Sequence, residues 1–170
     1  FCMLAESSVQ EVMDLSAVAH LASIEGTLPF VNFFDGFRTS HELQKIETID
    51  YDDLKQMVNW DKVQEFRNRA MNPNTPSVSG TAQNQDIYFQ SRETVNQFYD
   101  QMPEIVQNYM QKINDLRGTD YDLTTYYGAK DATEVIISMG SVAPTIRQTV
   151  DYLNEKGRKV GHLNIHLYRP

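Results

Sequence analysis

PFVNFFDGFRTSHE, residues 29–42, decides how the rest of this 170-residue chain is read. Its opening run over 30–34 is apolar except for Asn32, which predicts a short strand covered on both faces. Asp35-Gly36 then breaks the run into a polar loop, the place just past a strand where open α/β sheets put their ligands. Asp35, Arg38, Thr39, Ser40 and His41 crowd charge and hydrogen-bonding capacity into that loop. It is either a binding edge or a heavily hydrogen-bonded structural corner.

Upstream, Ser8-Val9-Gln10-Glu11 has the spacing of a capping box and predicts a helix start. Val9, Val12, Met13, Leu15, Ala19, Leu21, Ala22 and Ile24 give that helix an apolar side, with Gly26 expected in the left-handed conformation that stops it. His20 lies among these residues and is read as a hydrogen-bonded packing residue. Helix, turn and strand make an αβ unit, expected to continue a parallel sheet begun before Phe1. Cys2, the single cysteine, reads as a buried small hydrophobe, so neither a disulfide framework nor a thiolate cluster site can be built from this chain.

Downstream, 42–59 suggests two short helices, HELQKIE and YDDLKQMV, the second capped by Asp50. A further helix is expected over 60–71, capped by Asn59, with Val63, Phe66 and Ala70 inward and Arg67 and Arg69 solvated or paired with Asp61 or Glu65. Residues 72–91 hold Pro73, Pro76 and Gly80 and read as a long ordered loop tethered by DIYFQ at 86–90. Helices are expected over 93–99 and 102–116, with Pro103 in the first turn of the second and Gly118 ending it. Tyr121, Tyr126 and Tyr127 look like packing residues with polar tips, because no basic residues are interleaved with them.

The pattern changes at Glu134. A β-branched strand over 134–139, a turn at Gly140-Ser141, a helix over 144–156 and a strand over 159–167 form a βαβ unit and demand a parallel pair. GAKDAT, residues 128–133, has linker-like composition, which divides the chain into 1–128 and 129–170.

A formal net charge of −8 argues against a phosphate-tracking surface and hence against nucleic acid. No apolar run approaches the roughly 20 residues of a membrane-spanning helix. Gly140-Ser141 before a helix could cradle an anion, but lacks both the dinucleotide fingerprint and the phosphate-loop lysine, so a plain turn is the simpler reading. Asp35 and His41 as an acid/base pair, or Ser40 as a nucleophile, lack a nucleophile-elbow context. His162 and His166, four apart on one expected strand, would stand about 13 Å apart at roughly 3.3 Å per residue, too far for one zinc ion.

SVQEVMDL (8–15), PFVNFFDGFRTSHELQKIE (29–47), FRNRAMNP (66–73), GTAQNQDIYFQSRE (80–93) and HLYRP (166–170) together resemble consecutive blocks of the pyruvate:ferredoxin (flavodoxin) oxidoreductase family. The resemblance implies an α/β fold: part of a parallel-sheet domain similar to the thiamine diphosphate pyrimidine-binding domain up to residue 128. A βαβ start of a transketolase C-terminal-like domain would follow. It implies an enzyme that converts pyruvate and coenzyme A to acetyl-CoA and CO2 in the cytoplasm, or in an organelle of a protist. Its cofactors would be thiamine diphosphate with Mg2+ and [4Fe-4S] clusters, its acceptor ferredoxin or flavodoxin, and its assembly a homodimer without nucleic acid or membrane. The family's catalytic residues and cluster cysteines would lie outside this chain, an internal fragment with no catalytic or metal residue and no turnover of its own. Asn32 stands where relatives carry histidine, so a structural hydrogen bond is expected of it. Asp35, Arg38, Thr39 and His41 are the candidates for lining a cofactor or coenzyme A channel; the alternative is a polar corner fixing domain and subunit contacts. A non-catalytic segment whose 72–91 arm clasps a neighbouring subunit is the other class of reading.

Overall fold

Strand β1 (Cys2–Ala5), helix α1 (Val9–Gly26) and strand β2 (Phe30–Phe33) open the structure, a computed structural model describing residues 1–78, 80 and 82–170. The strands run parallel, Cys2 opposite Phe30 and Ala5 opposite Phe33, so the parallel partner of β2 is β1. Full coverage of β2 is not observed. It is the edge strand of the sheet order β2-β1-β6, and Val31 is 42% exposed.

Capping of α1 follows the spacing. Glu11 N donates to Ser8 Oγ (3.2 Å), satisfying a free donor of the first turn, and the Glu11 carboxylate reaches back past the cap to accept from Ser7 N (2.5 Å). The left-handed residue that ends the helix is Thr27 (φ 56°), not Gly26. Gly26 is required for another reason: a Cβ there would overlap the sulfur of Met102, where the long helix α5 (Asn96–Arg117) crosses α1. His20 is exposed, on the side of α1 away from this contact, so its expected packing role is withdrawn.

Leu15, Val18, Leu21 and Ala22 of α1 meet Met102, Val106, Met110 and Ile113 of α5, together with Cys2 and Leu4 of β1, in one buried cluster. Each large side chain there contributes roughly 1.5–3 kcal/mol of burial. The two helices expected over 93–99 and 102–116 are redrawn as one, α5, with Pro103 in its interior and Gly118 (φ 69°) as the left-handed stop. The amphipathic face carries the helix through a residue that would otherwise start it.

Between them lie short elements with no buried residue: α2 (Tyr51–Met57) and α3 (Trp60–Asn68), capped by Asp50 and Asn59 as their positions suggest. Phe66 and Ala70, expected inward, are exposed. No helix forms over HELQKIE. Gln10 occupies its backbone instead: Glu47 N donates to Gln10 Oε1 (2.8 Å) and Gln10 Nε2 to Glu47 O (3.0 Å). The expected loop is also shorter, since DIYFQ belongs to helix α4 (Gln85–Glu93). Ile87, Tyr88 and Phe89 are 52%, 56% and 66% exposed, so none of them is an anchor buried among the described residues. Positions 79 and 81 of that loop lie outside the described residues.

The second sheet has the order β3-β5-β4. β4 (Glu134–Ser138), α6 (Ala143–Glu155) and β5 (Val160–Ile165) form the expected βαβ unit, with β4 and β5 parallel. β3 (Thr124–Gly128), which the tyrosine-rich stretch did not announce, runs antiparallel to β5. Its tyrosines keep polar tips: Tyr127 donates to Asp151 Oδ1 (2.7 Å) and Tyr126 to Ala129 O (2.5 Å). The strand expected over 159–167 is split at His166. Beyond it, β6 (Leu167–Arg169) joins the first sheet antiparallel to β1. Both sheets are therefore mixed or completed by a strand from across the 128/129 position, and the chain passes between them twice.

Candidate functional site

The ends of β2 and β4 face each other, and that juxtaposition is set by the two parallel pairs. Past β2, Asp35 Oδ1 accepts from the backbone N–H of Arg38 (2.7 Å) and Thr39 (3.0 Å), and Oδ2 accepts from the Thr39 hydroxyl (2.9 Å). These bonds nucleate the short 3-10 turn Thr39–His41 and bury Thr39. Past β4, the Gly140 turn (φ 83°) leads into α6. Arg38 joins the two: its Nε donates to Glu42 Oε1 (3.0 Å), and its Nη1 to Ser141 O (3.2 Å) and Thr145 Oγ1 (3.4 Å). Between the strand ends lies a cleft of about 270 Å3 lined by Phe33, Phe34, Asp35, Met139, Gly140, Ser141 and Val142.

Asp35 is held well below the ordinary carboxylate range, first by the Ser141 side chain, against desolvation, with the Thr39 and Arg38 donors each adding less. A carboxylate so firmly ionised organises donors; it is a poor proton acceptor near neutral pH. The Ser40 hydroxyl donates its one proton to Gly36 O. The 2.9 Å contact between Ser40 Oγ and His41 Nδ1 therefore has the imidazole as donor, the reverse of what nucleophile activation requires. His41 instead stands by the exposed Phe37 ring, 6.2 Å between centroids, and is absent from the cleft lining. Of the four candidates, Asp35, Arg38 and Thr39 form one hydrogen-bonded corner, Asp35 alone faces the cleft, and His41 is apart.

Sequence reasoning missed a second polar group, between the sheets. Asn164 Nδ2 donates to Ser7 Oγ (3.0 Å) and lies 3.3 Å from His166 Nε2; His166 Nδ1 is 3.2 Å from Ala5 O and 3.9 Å from Glu11 Oε2. Beside it Asn32 Nδ2 donates to Ser16 Oγ (2.7 Å), the hydrogen bond expected of Asn32. Buried Asp14 accepts from Tyr121 (2.9 Å) and Gln10 (3.1 Å), with Arg117 Nε at 3.7 Å. Ser7 meets Asn164, Ala5 meets His166, and Asp14 meets Tyr121 and Arg117 across more than a hundred positions, so no local spacing could have announced those contacts. His162, buried and 2.7 Å from Ser138 Oγ, has its pKa lowered by desolvation and then by Arg147.

No three potential ligand residues among His, Cys, Asp and Glu converge among the described residues, and Cys2 is buried, its thiol pushed up by desolvation. A cavity of about 870 Å3 lies between the end of α1 and α3, lined mainly by apolar groups such as Ile24, Leu28, Val63 and Phe66 and by none of the residues of either polar group.

Residues 1–111 match the family described as pyruvate flavodoxin/ferredoxin oxidoreductase, thiamine diP-bdg, and residues 132–170 match pyruvate:ferredoxin oxidoreductase core domain II. The chain is 62% identical over 168 residues to pyruvate-flavodoxin oxidoreductase of Enterobacter agglomerans, covering 99% of this chain and 14% of that protein. It is 55% identical over 170 residues to pyruvate:ferredoxin oxidoreductase of Moorella thermoacetica, covering all of this chain and 14% of that protein. To pyruvate dehydrogenase (NADP+) of Cryptosporidium parvum it is 48% identical over 171 residues, again over this whole chain and 9% of that protein. The chain thus spans about 14% of the length of the curated bacterial relatives it matches.

Proposed function

Because the chain belongs to the pyruvate flavodoxin/ferredoxin oxidoreductase family, we propose that it is the part of such an enzyme that frames a thiamine diphosphate site without supplying its reactive groups. The whole enzyme would oxidatively decarboxylate pyruvate with coenzyme A to acetyl-CoA and CO2 in the cytoplasm, and pass electrons to ferredoxin or flavodoxin. The observation that carries this reading is the in-register identity along the whole chain, from β1 to β6.

Thiamine diphosphate, when bound, supplies the carbanion chemistry of decarboxylation. Mg2+ and [4Fe-4S] clusters belong to the proposal for the whole enzyme; one buried cysteine does not fit a cluster that takes four thiolates, so their ligands would come from elsewhere in the polypeptide. What this chain's residues do is positional. Asp35 orients Arg38 and Thr39, and Arg38 ties the β2 end to the β4 end over the small cleft. In this proposal 1–128 belongs to a pyrimidine-binding-like domain and 129–170 to a transketolase C-terminal-like one, with Arg38 bridging them.

Asp35, Arg38, Thr39 and His41 remain the candidates for bordering a cofactor or coenzyme A channel. Arg38→Ala in the full-length enzyme, assayed by pyruvate-dependent viologen reduction, separates the roles: a raised KM with unchanged melting supports the channel, whereas lost stability with unchanged kinetics supports the corner. Absence of pyruvate-dependent reduction by the intact full-length polypeptide would overturn the enzymatic reading. A subunit-contact role within a homodimer is favoured by one further observation, the exposed Ile87, Tyr88 and Phe89 on α4.

A further inference from the structure

Among the described residues, Glu6 is the one carboxylate sealed from water with neither oxygen paired. It follows β1, its backbone N–H donates to Phe33 O (3.1 Å), and its side chain is 0% exposed. Both Oε1 and Oε2 lack a hydrogen-bond partner. Beside it stands Asn32, which acts on the Glu6 carboxyl in the direction that lowers its pKa and whose own Oδ1 is buried and unpaired, while one N–H of its Nδ2 goes to Ser16. Neither Glu6 oxygen nor Asn32 Oδ1 receives a hydrogen bond. An ionised carboxylate in that setting would carry the full cost of desolvation with no compensating cation.

The charged groups on the surrounding elements make ionisation harder. α1 presents Glu11, a like charge, and Glu11 is already engaged with the N–H of Ser7 and with His166 at the junction of β5 and β6. Asp14, one turn further along α1, has claimed Arg117 from α5. β2 offers only the neutral Asn32. No guanidinium or ammonium is paired with Glu6.

We propose that Glu6 is carried in the folded protein as a neutral carboxylic acid whose proton is donated to the Asn32 side-chain oxygen, a positioning residue that pins the end of β1 to β2. One proton supplies the missing donor for both orphaned groups. It also fixes the start of the loop that holds Asp35, which lies three residues beyond Asn32, just past the end of β2. Desolvation, with a smaller push from Glu11 and against the lowering effect of the Asn32 side chain, raises the Glu6 pKa to about 8, which agrees with a neutral acid. The pin is therefore released by alkali.

Infrared difference spectroscopy on the full-length polypeptide, wild type against Glu6→Gln, tests this. The carbonyl stretch of a buried protonated acid is expected near neutral pH, shifting in D2O, fading on titration with a midpoint near 8, and missing from Glu6→Gln. An Asn32→Leu variant, which removes the acceptor, is expected to move that band to higher frequency. Should Glu6→Gln fail to fold, the titration and D2O shift of the wild-type band and its movement in Asn32→Leu decide the matter. A carboxylate band at Glu6 near neutral pH overturns the proposal, as does an acid band that Asn32→Leu leaves in place.

Discussion

Replacing Gly26 by alanine tests the crossing of α1 with α5. The added methyl would overlap the Met102 sulfur and lie 3.1 Å from Met102 Cε and 3.4 Å from Ile105 Cδ1. Met102 is fully buried among Val106, Met110 and α1, so its side chain has little room to retreat. Alanine at the end of α1 gains at most about 1 kcal/mol of helix propensity over glycine. Overpacking of a filled core costs about 1–3 kcal/mol. The clash outweighs the gain, and a net loss of about 1–2 kcal/mol is expected. Urea denaturation of the chain measures it, and a double-mutant cycle with Met102→Ala assigns it. Met102→Ala alone should cost about 2–5 kcal/mol through the cavity it leaves, and the double variant should be more stable than the sum predicts by about 1 kcal/mol or more, because the methyl then occupies vacated space. Additive losses, or a stabilised Gly26→Ala, would refute the claim that Gly26 exists for the α1–α5 approach.

Asp14→Leu should cost about 3–5 kcal/mol in the same denaturation assay, since it takes the acceptor from Tyr121 and leaves Arg117, at a mostly buried site, only Glu47 as a counter-charge. Cys2 should react with a thiol reagent only on unfolding, so native labelling at the rate of a free thiol would contradict its burial. Stability against pH carries a signed expectation for Glu6. Its folded pKa, about 8, lies above the ordinary 4.5, so its contribution is fully present below 4.5 and is lost as pH rises toward 8; Glu6→Gln should flatten that part of the profile relative to wild type. An unchanged slope would contradict it. Arg38→Ala, already set against KM and melting, completes the set.

The readings that held depend on neighbours within one turn or one strand. Ser8 and Glu11 are three residues apart, so the helix start could be read from them alone, and Asp50 and Asn59 cap their helices for the same reason. The βαβ run from Glu134 was legible because β-branched residues, a glycine turn and an amphipathic helix follow one another without interruption. The readings that failed each needed a partner far away in the chain. HELQKIE has a helical composition, yet Gln10, 37 residues upstream, takes its backbone and keeps it extended. Pro103 looked like a helix start because local rules cannot weigh the α1 surface that α5 buries. His20 looked buried because it sits among apolar letters, while the crossing with α5 selects a different side of the helix.

The candidate corner divides in the same way. Asp35, Arg38 and Thr39 were found because an aspartate bonding the next few backbone N–H groups is a local event. That Arg38 reaches Ser141, 103 residues on, and that His41 turns aside to Ser40 and Phe37, follows from how the two sheets dock. By itself the order of residues determined the caps at Ser8, Asp50 and Asn59, the βαβ unit from Glu134 and the family, because periodicity, capping chemistry and blockwise similarity are written along the chain. Only the tertiary structure decided that β2 is an edge, that the strand after α6 breaks at His166 to serve both sheets, and that Glu6 faces Asn32 without a counter-ion. Those outcomes turn on which surfaces are removed from water together, and burial is a property of the assembled fold.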